Sequence, residues 1–139
     1  MADDISREDV AAVYSAVAET VADALGCDRE QIAADVSLID GLGAESIDFL
    51  DIVFRLERQF AIKIPRGQIV DDARGALAEA EFERKGYVTD AGLRRLRAYL
   101  SEVPADRFPA RMKVADIPRL FTVETFCKVV VRARRMTAS

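Results

Sequence analysis

A glycine-bearing loop that runs into a strongly amphipathic helix, Leu42-Gly43-Ala44-Glu45-Ser46-Ile47-Asp48-Phe49-Leu50, sets the middle of this chain and places one serine at the junction. Apolar residues at Ile47, Leu50, Val53, Phe54 and Leu56 recur at three and four positions, which predicts a helix from Ser46 to about Phe60 that buries that set. The Ser46 hydroxyl then projects from the first turn, where unpaired backbone N–H groups and the positive end of the helix dipole favour a phosphate attached to it. The competing reading is that Ser46 only caps the helix, accepting a bond from the N–H two or three residues on.

Helical signals also lie on both sides. Ser6, with Asp9 three positions later, opens a helix whose Val10, Val13, Val17, Val21 and Leu25 form one face until Gly26 ends it. Residues 27–45 make a long connection, expected to be anchored by Ile32, Val36, Leu38 and Leu42. Alternating Phe60, Ile62 and Ile64 imitate a strand, but Pro65 closes the run and no partner strand is evident. Further on, Thr122 is the expected N-cap of a last helix that turns Phe126, Val130 and Ala133 inward. Arg132, Arg134 and Arg135 at its end suit the negative pole of the helix dipole.

At 139 residues the chain is long enough for one domain with a real core and short for a substrate-binding catalytic domain. It has no histidine, which removes Ser-His and Cys-His nucleophile pairs and His-ligated metal sites together. An enzyme would have to use Ser46 with Lys63 or a carboxylate, and no oriented base is visible. Cys27 and Cys127, a hundred positions apart, read as small buried hydrophobes rather than as a disulfide or a reactive thiol. Residues 1–4 are acidic and unlike a signal peptide, and no apolar run approaches about eighteen residues. A cytoplasmic protein without membrane insertion is expected.

Charge divides the chain. Residues 1–60 hold 14 acidic and 4 basic side chains, a net of −10, and residues 61–139 hold 10 and 16, a net of +6. The acidic half suits steering towards basic protein surfaces. The basic half is interleaved with carboxylates and apolar positions, which argues for solvated helix faces and against nucleic acid.

Residues 35–65, DVSLIDGLGAESIDFLDIVFRLERQFAIKIP, resemble without a gap the centre of the acyl carrier proteins. The resemblance rests on Leu38, on Leu42-Gly43 before the serine, on the aliphatic Ile47 after it, and on Phe60, Ile62, Ile64 and Pro65; Thr122-Val123 also resembles the opening of the family's last helix. It implies an all-α four-helix bundle and a 4′-phosphopantetheine arm on Ser46, attached from coenzyme A by a phosphopantetheinyl transferase that uses a divalent metal. The arm's thiol would hold an acyl group as a thioester for acyl-transferring, condensing or ligase enzymes of fatty-acid, lipid or polyketide biosynthesis. The carrier itself would be a monomer without catalytic activity. Apolar space between the helices would shelter a fatty chain at about 0.8 kcal/mol per buried methylene. Two alternatives stay open: a peptidyl or aryl carrier, and an unmodified adaptor that binds another protein.

The chain departs from the family in three places. Glu45 stands where the family has aspartate. Arg55, Arg58 and Lys63 interrupt the acidic surface to which Asp48, Asp51 and Glu57 contribute. Residues 69–117 look like an insertion within a single domain spanning 1–139. There, residues 71–85 are helix-prone, with Asp71 and Asp72 at the start and Arg84, Lys85 and Gly86 at the end. Thr89 then caps a helix whose Leu93, Leu96, Leu100 and Val103 should pack on the bundle, with Arg94, Arg95 and Arg97 opposite, or else form a docking hairpin. Residues 105–115 read as an irregular return, with one more short turn within Val114–Leu120.

Overall fold

Helix α1 (Arg7–Leu25) begins and ends where its local chemistry dictates. In this computed structural model, which describes residues 5–64 and 68–138, Ser6 Oγ accepts the Asp9 N–H at 3.1 Å and the Asp9 carboxylate accepts the Ser6 N–H at 3.0 Å. This capping box pairs two otherwise unsatisfied donors. The bond from the Ser6 backbone is also the main cause that holds the Asp9 carboxyl below its ordinary pKa. Gly26 closes the helix at φ 67°. Residues 1–4 and Pro65, singled out from sequence, lie outside the described residues, as do the side chains of Ser46, Gln68, Val70 and residues 136–138.

Helix α6 (Val123–Ala138) packs along α1, and α2 (Ser46–Phe60) packs on both. Thr122 caps α6 as expected, its Oγ1 accepting the Thr125 N–H at 3.2 Å while Thr125 Oγ1 accepts the Thr122 N–H at 3.0 Å. Phe126, Val130 and Ala133 face the core, beside Val13, Val17 and Val21 of α1. The arginines near the end of α6 have tertiary partners as well as the dipole. Arg135 pairs with Asp9 at 2.8 Å, and the Arg132 and Arg134 guanidiniums lie over the rings of Tyr99 and Phe60 at 4.2 and 5.8 Å.

Helix α2 corrects one expectation. Ile47, Leu50 and Phe54 are 70%, 38% and 58% exposed, whereas Ile52 and Leu56 are buried and Phe49, Val53 and Phe60 pack against them. At about 100° per residue, positions 49, 52, 53, 56 and 60 share one arc and 47, 50 and 54 lie nearly opposite. The sequence carries two apolar arcs, and the helix can turn only one of them toward α1 and α6. The Phe49 ring is what engages, packing against Phe121 and Phe126 with centroids 6.1 and 6.0 Å away.

Residues 71–85 do not form the single helix expected. Helix α3 (Gln68–Arg74) stops at Gly75, and a single turn of helix α4 (Glu79–Phe82) leads into an antiparallel hairpin of β1 (Glu83–Arg84) and β2 (Tyr87–Val88). Lys85 and Gly86, expected to end a helix, are the two-residue turn, with φ of 55° and 84°. Paired positive φ values match the right-handed twist of the strands, and glycine adopts them without steric cost. Apart from this hairpin the described architecture is helical, as the family resemblance implied.

Thr89 caps helix α5 (Asp90–Tyr99), its Oγ1 accepting the Gly92 N–H at 3.0 Å. Leu93, Leu96, Leu100 and Val103 are all buried, so the stripe packs as core, while Arg94, Arg95 and Arg97 are exposed. Residues 105–115 return irregularly, and Val114–Leu120 is a short 3-10 turn. Both cysteines are unpaired. Cys127 is fully buried, which pushes its thiol up to about 12, whereas Cys27 is half-buried in the connection after α1. Since the thiolate is the reactive species, alkylation of the native protein near pH 8 should label Cys27 first and Cys127 only after denaturation. Native-state labelling of Cys127 at the rate of Cys27, read by peptide mass spectrometry, would contradict this burial.

Candidate functional site

The loop before Ser46 is held by its own backbone. Gly41 and Leu42 donate to the Ser37 carbonyl at 3.0 and 3.1 Å, Gly43 to Ile39 at 3.0 Å, and Ala44 to Leu38 at 2.8 Å. Gly43 sits at φ 75°, a left-handed conformation that a side chain would strain. Leu38 is fully buried, Ile32 is buried and Val36 and Leu42 are half-buried, so the predicted anchors do hold the connection to the core.

The chain then turns into α2 with Glu45, not Ser46, as N-cap. Glu45 is extended (φ −109°, ψ 170°), and its carbonyl accepts the Asp48 and Phe49 N–H groups at 2.9 and 3.3 Å. The Asp48 carboxylate reaches back to accept the Glu45 N–H at 2.8 Å. Ser46 is therefore the first residue inside the helix, which rules out its reading as the cap. The N–H groups of residues at this position have no acceptor within the helix. They are chemically suited to a phosphate carried by Ser46, and its flanking residues Glu45 and Ile47 are exposed.

The acidic face of α2 is mostly engaged internally. Asp48 holds the helix start, Asp51 pairs with Arg55 at 3.0 Å, and Glu57 accepts the Ile64 N–H at 2.7 Å. What α2 offers to solvent is instead the apolar row Ile47, Leu50, Phe54. That row leads to an open groove of about 620 Å³ lined by Phe54, Glu57, Arg58, Ala61, Ile62 and Lys63. Two of the basic residues that interrupt the acidic face, Arg58 and Lys63, thus border an apolar surface, a feature hidden by the expectation that Phe54 was core. No cluster of potential metal ligands occurs among the described residues.

Residues far along the chain brace this loop. The Leu38 N–H donates to the Phe121 carbonyl at 3.1 Å, Ser37 and Thr122 form an isolated antiparallel bridge, and Arg107 pairs with Asp40 at 3.5 Å. Ser37 and Arg107 were not singled out from sequence. Ser37, three residues before Asp40, has the form of a local turn signal; nothing local marks Arg107.

A family profile described as the phosphopantetheine attachment site matches residues 15–74, from within α1 to the end of α3. An acyl carrier protein AcpXL of Rhizobium meliloti (strain 1021) is 46% identical over 74 residues, covering 52% of this chain and 78% of the relative. The acyl carrier protein of Syntrophobacter fumaroxidans (strain DSM 10017 / MPOB) is 39% identical over 57 residues, 41% of this chain and 70% of the relative. That of Thermotoga maritima (strain ATCC 43589 / DSM 3109 / JCM 10099 / NBRC 100826 / MSB8) is 37% identical over 59 residues, 42% of this chain and 69% of the relative.

Proposed function

We propose, from the premise that the chain belongs to the acyl carrier protein family, that Ser46 is the residue that bears its cofactor. The chain is a phosphopantetheine-bearing acyl carrier, and the covalent 4′-phosphopantetheine supplies a terminal thiol on which acyl groups are held as thioesters. Carriers of this family present a substrate rather than transform it. The observation that carries the assignment is the placement of Ser46 as the first residue of α2, behind a cap made by Glu45 and Asp48 and between exposed neighbours. A phosphodiester at this point meets the positive end of a fifteen-residue helix.

The rest of the reading follows from the same surface. The row Ile47, Leu50, Phe54 and the groove beyond it give acyl-transferring, condensing or ligase enzymes an apolar contact beside the arm. A flexible arm keeps its cargo at high effective concentration for an enzyme docked there. Residues 69–117 are an added segment of one domain, and the carrier acts as a cytoplasmic monomer. No helix among the described residues is long and apolar enough to cross a membrane.

Incubation with coenzyme A, Mg²⁺ and a broad-specificity phosphopantetheinyl transferase should add a single arm, located by peptide mass spectrometry on Ser46 and abolished in Ser46→Ala with helical content unchanged. An arm located on another residue overturns the assignment.

A further inference from the structure

Three side chains, those of Ser37, Asp40 and Arg107, and the Arg119 backbone carbonyl close a polar ring between the serine-bearing loop and the segment 105–120. Ser37 Oγ donates to the Arg119 carbonyl at 3.3 Å, and the same carbonyl accepts Arg107 Nη2 at 3.1 Å. Arg107 Nη2 also reaches the Asp40 carboxylate at 3.5 Å, and the Asp40 N–H returns to Ser37 Oγ at 3.1 Å. Ser37 is one of the few buried polar residues described, and its carbonyl is the acceptor for Gly41 and Leu42. The loop leaves no slack there: a side chain at Gly41 would come within 2.7 Å of the Ser37 carbonyl oxygen. One side of the ring lies inside the matched carrier region and the other, Arg107 with Arg119, lies outside it.

We propose that this ring makes Ser37 and Arg107 positioning residues for the modification of Ser46, so that segment 105–120 sets how readily a transferase accepts the serine. The inference rests on Ser46 being the attachment residue. Held by the ring, the turn from Ser37 to Ala44 has one shape, and its last bond, from the Ala44 N–H to the Leu38 carbonyl, lies two residues before Ser46. A loop that takes the accepted shape only part of the time weakens apparent affinity by that fraction. The effect therefore falls on KM for the carrier and leaves kcat unchanged.

The test is steady-state loading of the full chain with coenzyme A and one defined phosphopantetheinyl transferase, beside amide hydrogen exchange of the unloaded protein. In Arg107→Ala, KM for the carrier should rise about two- to fivefold, the range open to a half-exposed ion pair. The amides of residues 41–44 should exchange faster by a similar factor, while those of α1 do not change. Ser37→Ala should do the same, and Arg107→Lys, which keeps the charge beside Asp40, should stay near wild type. Arg111→Ala, in the same segment but stacked over Tyr87 at 4.2 Å, should be silent. Loading at Ser46 with KM and loop exchange unchanged in Arg107→Ala and Ser37→Ala overturns this proposal alone. Faster exchange spread over α1 and α6 overturns it too, because the ring would then be a general stability element. Loading at another residue overturns the attachment reading together with this one.

Discussion

Replacing Leu96 and Leu100 together by alanine should lower the melting temperature by more than about 10 °C. Both side chains are 1% exposed and sit in the same buried cluster as Leu93, Val103 and the α6 core. Each Leu→Ala truncation in a packed core costs about 2 to 5 kcal/mol, from lost transfer free energy and from the cavity left behind. The two are one helical turn apart and share neighbours, so their costs need not add. Even the lower end removes a large part of the roughly 5 to 15 kcal/mol that holds an ordinary domain folded. The alternative, that the stripe is a docking surface added to an independent bundle, predicts a double mutant that melts with wild type. Thermal melts followed by circular dichroism decide, and an unchanged midpoint would return the stripe to the surface.

The parts of the fold that could be read from sequence are those specified by local chemistry. Ser6 with Asp9, Gly26, Thr89 and Thr122 each bond within a few residues, and each stands where it was expected. The loop-to-helix junction at Ser46 was legible for the same reason, since loop, serine and helix are contiguous. The orientation of α2 was not, because Ile47, Leu50 and Phe54 satisfy helical spacing as well as Phe49, Ile52 and Leu56 do. Tertiary packing made the choice, through the contacts of Phe49 with Phe121 and Phe126. The hairpin at Glu83–Arg84 and Tyr87–Val88 escaped notice because its strands have two residues each and its turn is Lys-Gly rather than the stronger Asn-Gly or Asp-Gly signal. The ring around Ser37 and Arg107 joins residues 67 and 82 positions apart, a range at which periodicity is silent.

Replacing Lys128 by methionine should destabilise the protein by about 3 to 5 kcal/mol, and adding Glu102→Leu to that variant should recover most of the loss. Glu102 follows α5 and its side chain is 2% exposed; the Lys128 side chain, on α6, is 13% exposed, and Nζ lies 2.9 Å from Glu102 Oε1. The other Glu102 oxygen accepts Thr125 Oγ1 at 2.6 Å, which extends the α6 capping pair Thr122–Thr125 into the same network. Lys128 Nζ also donates to Ser101 Oγ at 3.2 Å. Desolvating two charges offsets much of their attraction, so the pair as a whole contributes little net stability. Removing one partner is different, because it leaves the other charge buried with too few hydrogen bonds. The single variant should therefore unfold at markedly lower urea than the double, an ordering opposite to that for two independent stabilising residues. A double variant as unstable as the two single losses combined would mean that the pair acts as a net stabilising clasp between the α5 segment and α6.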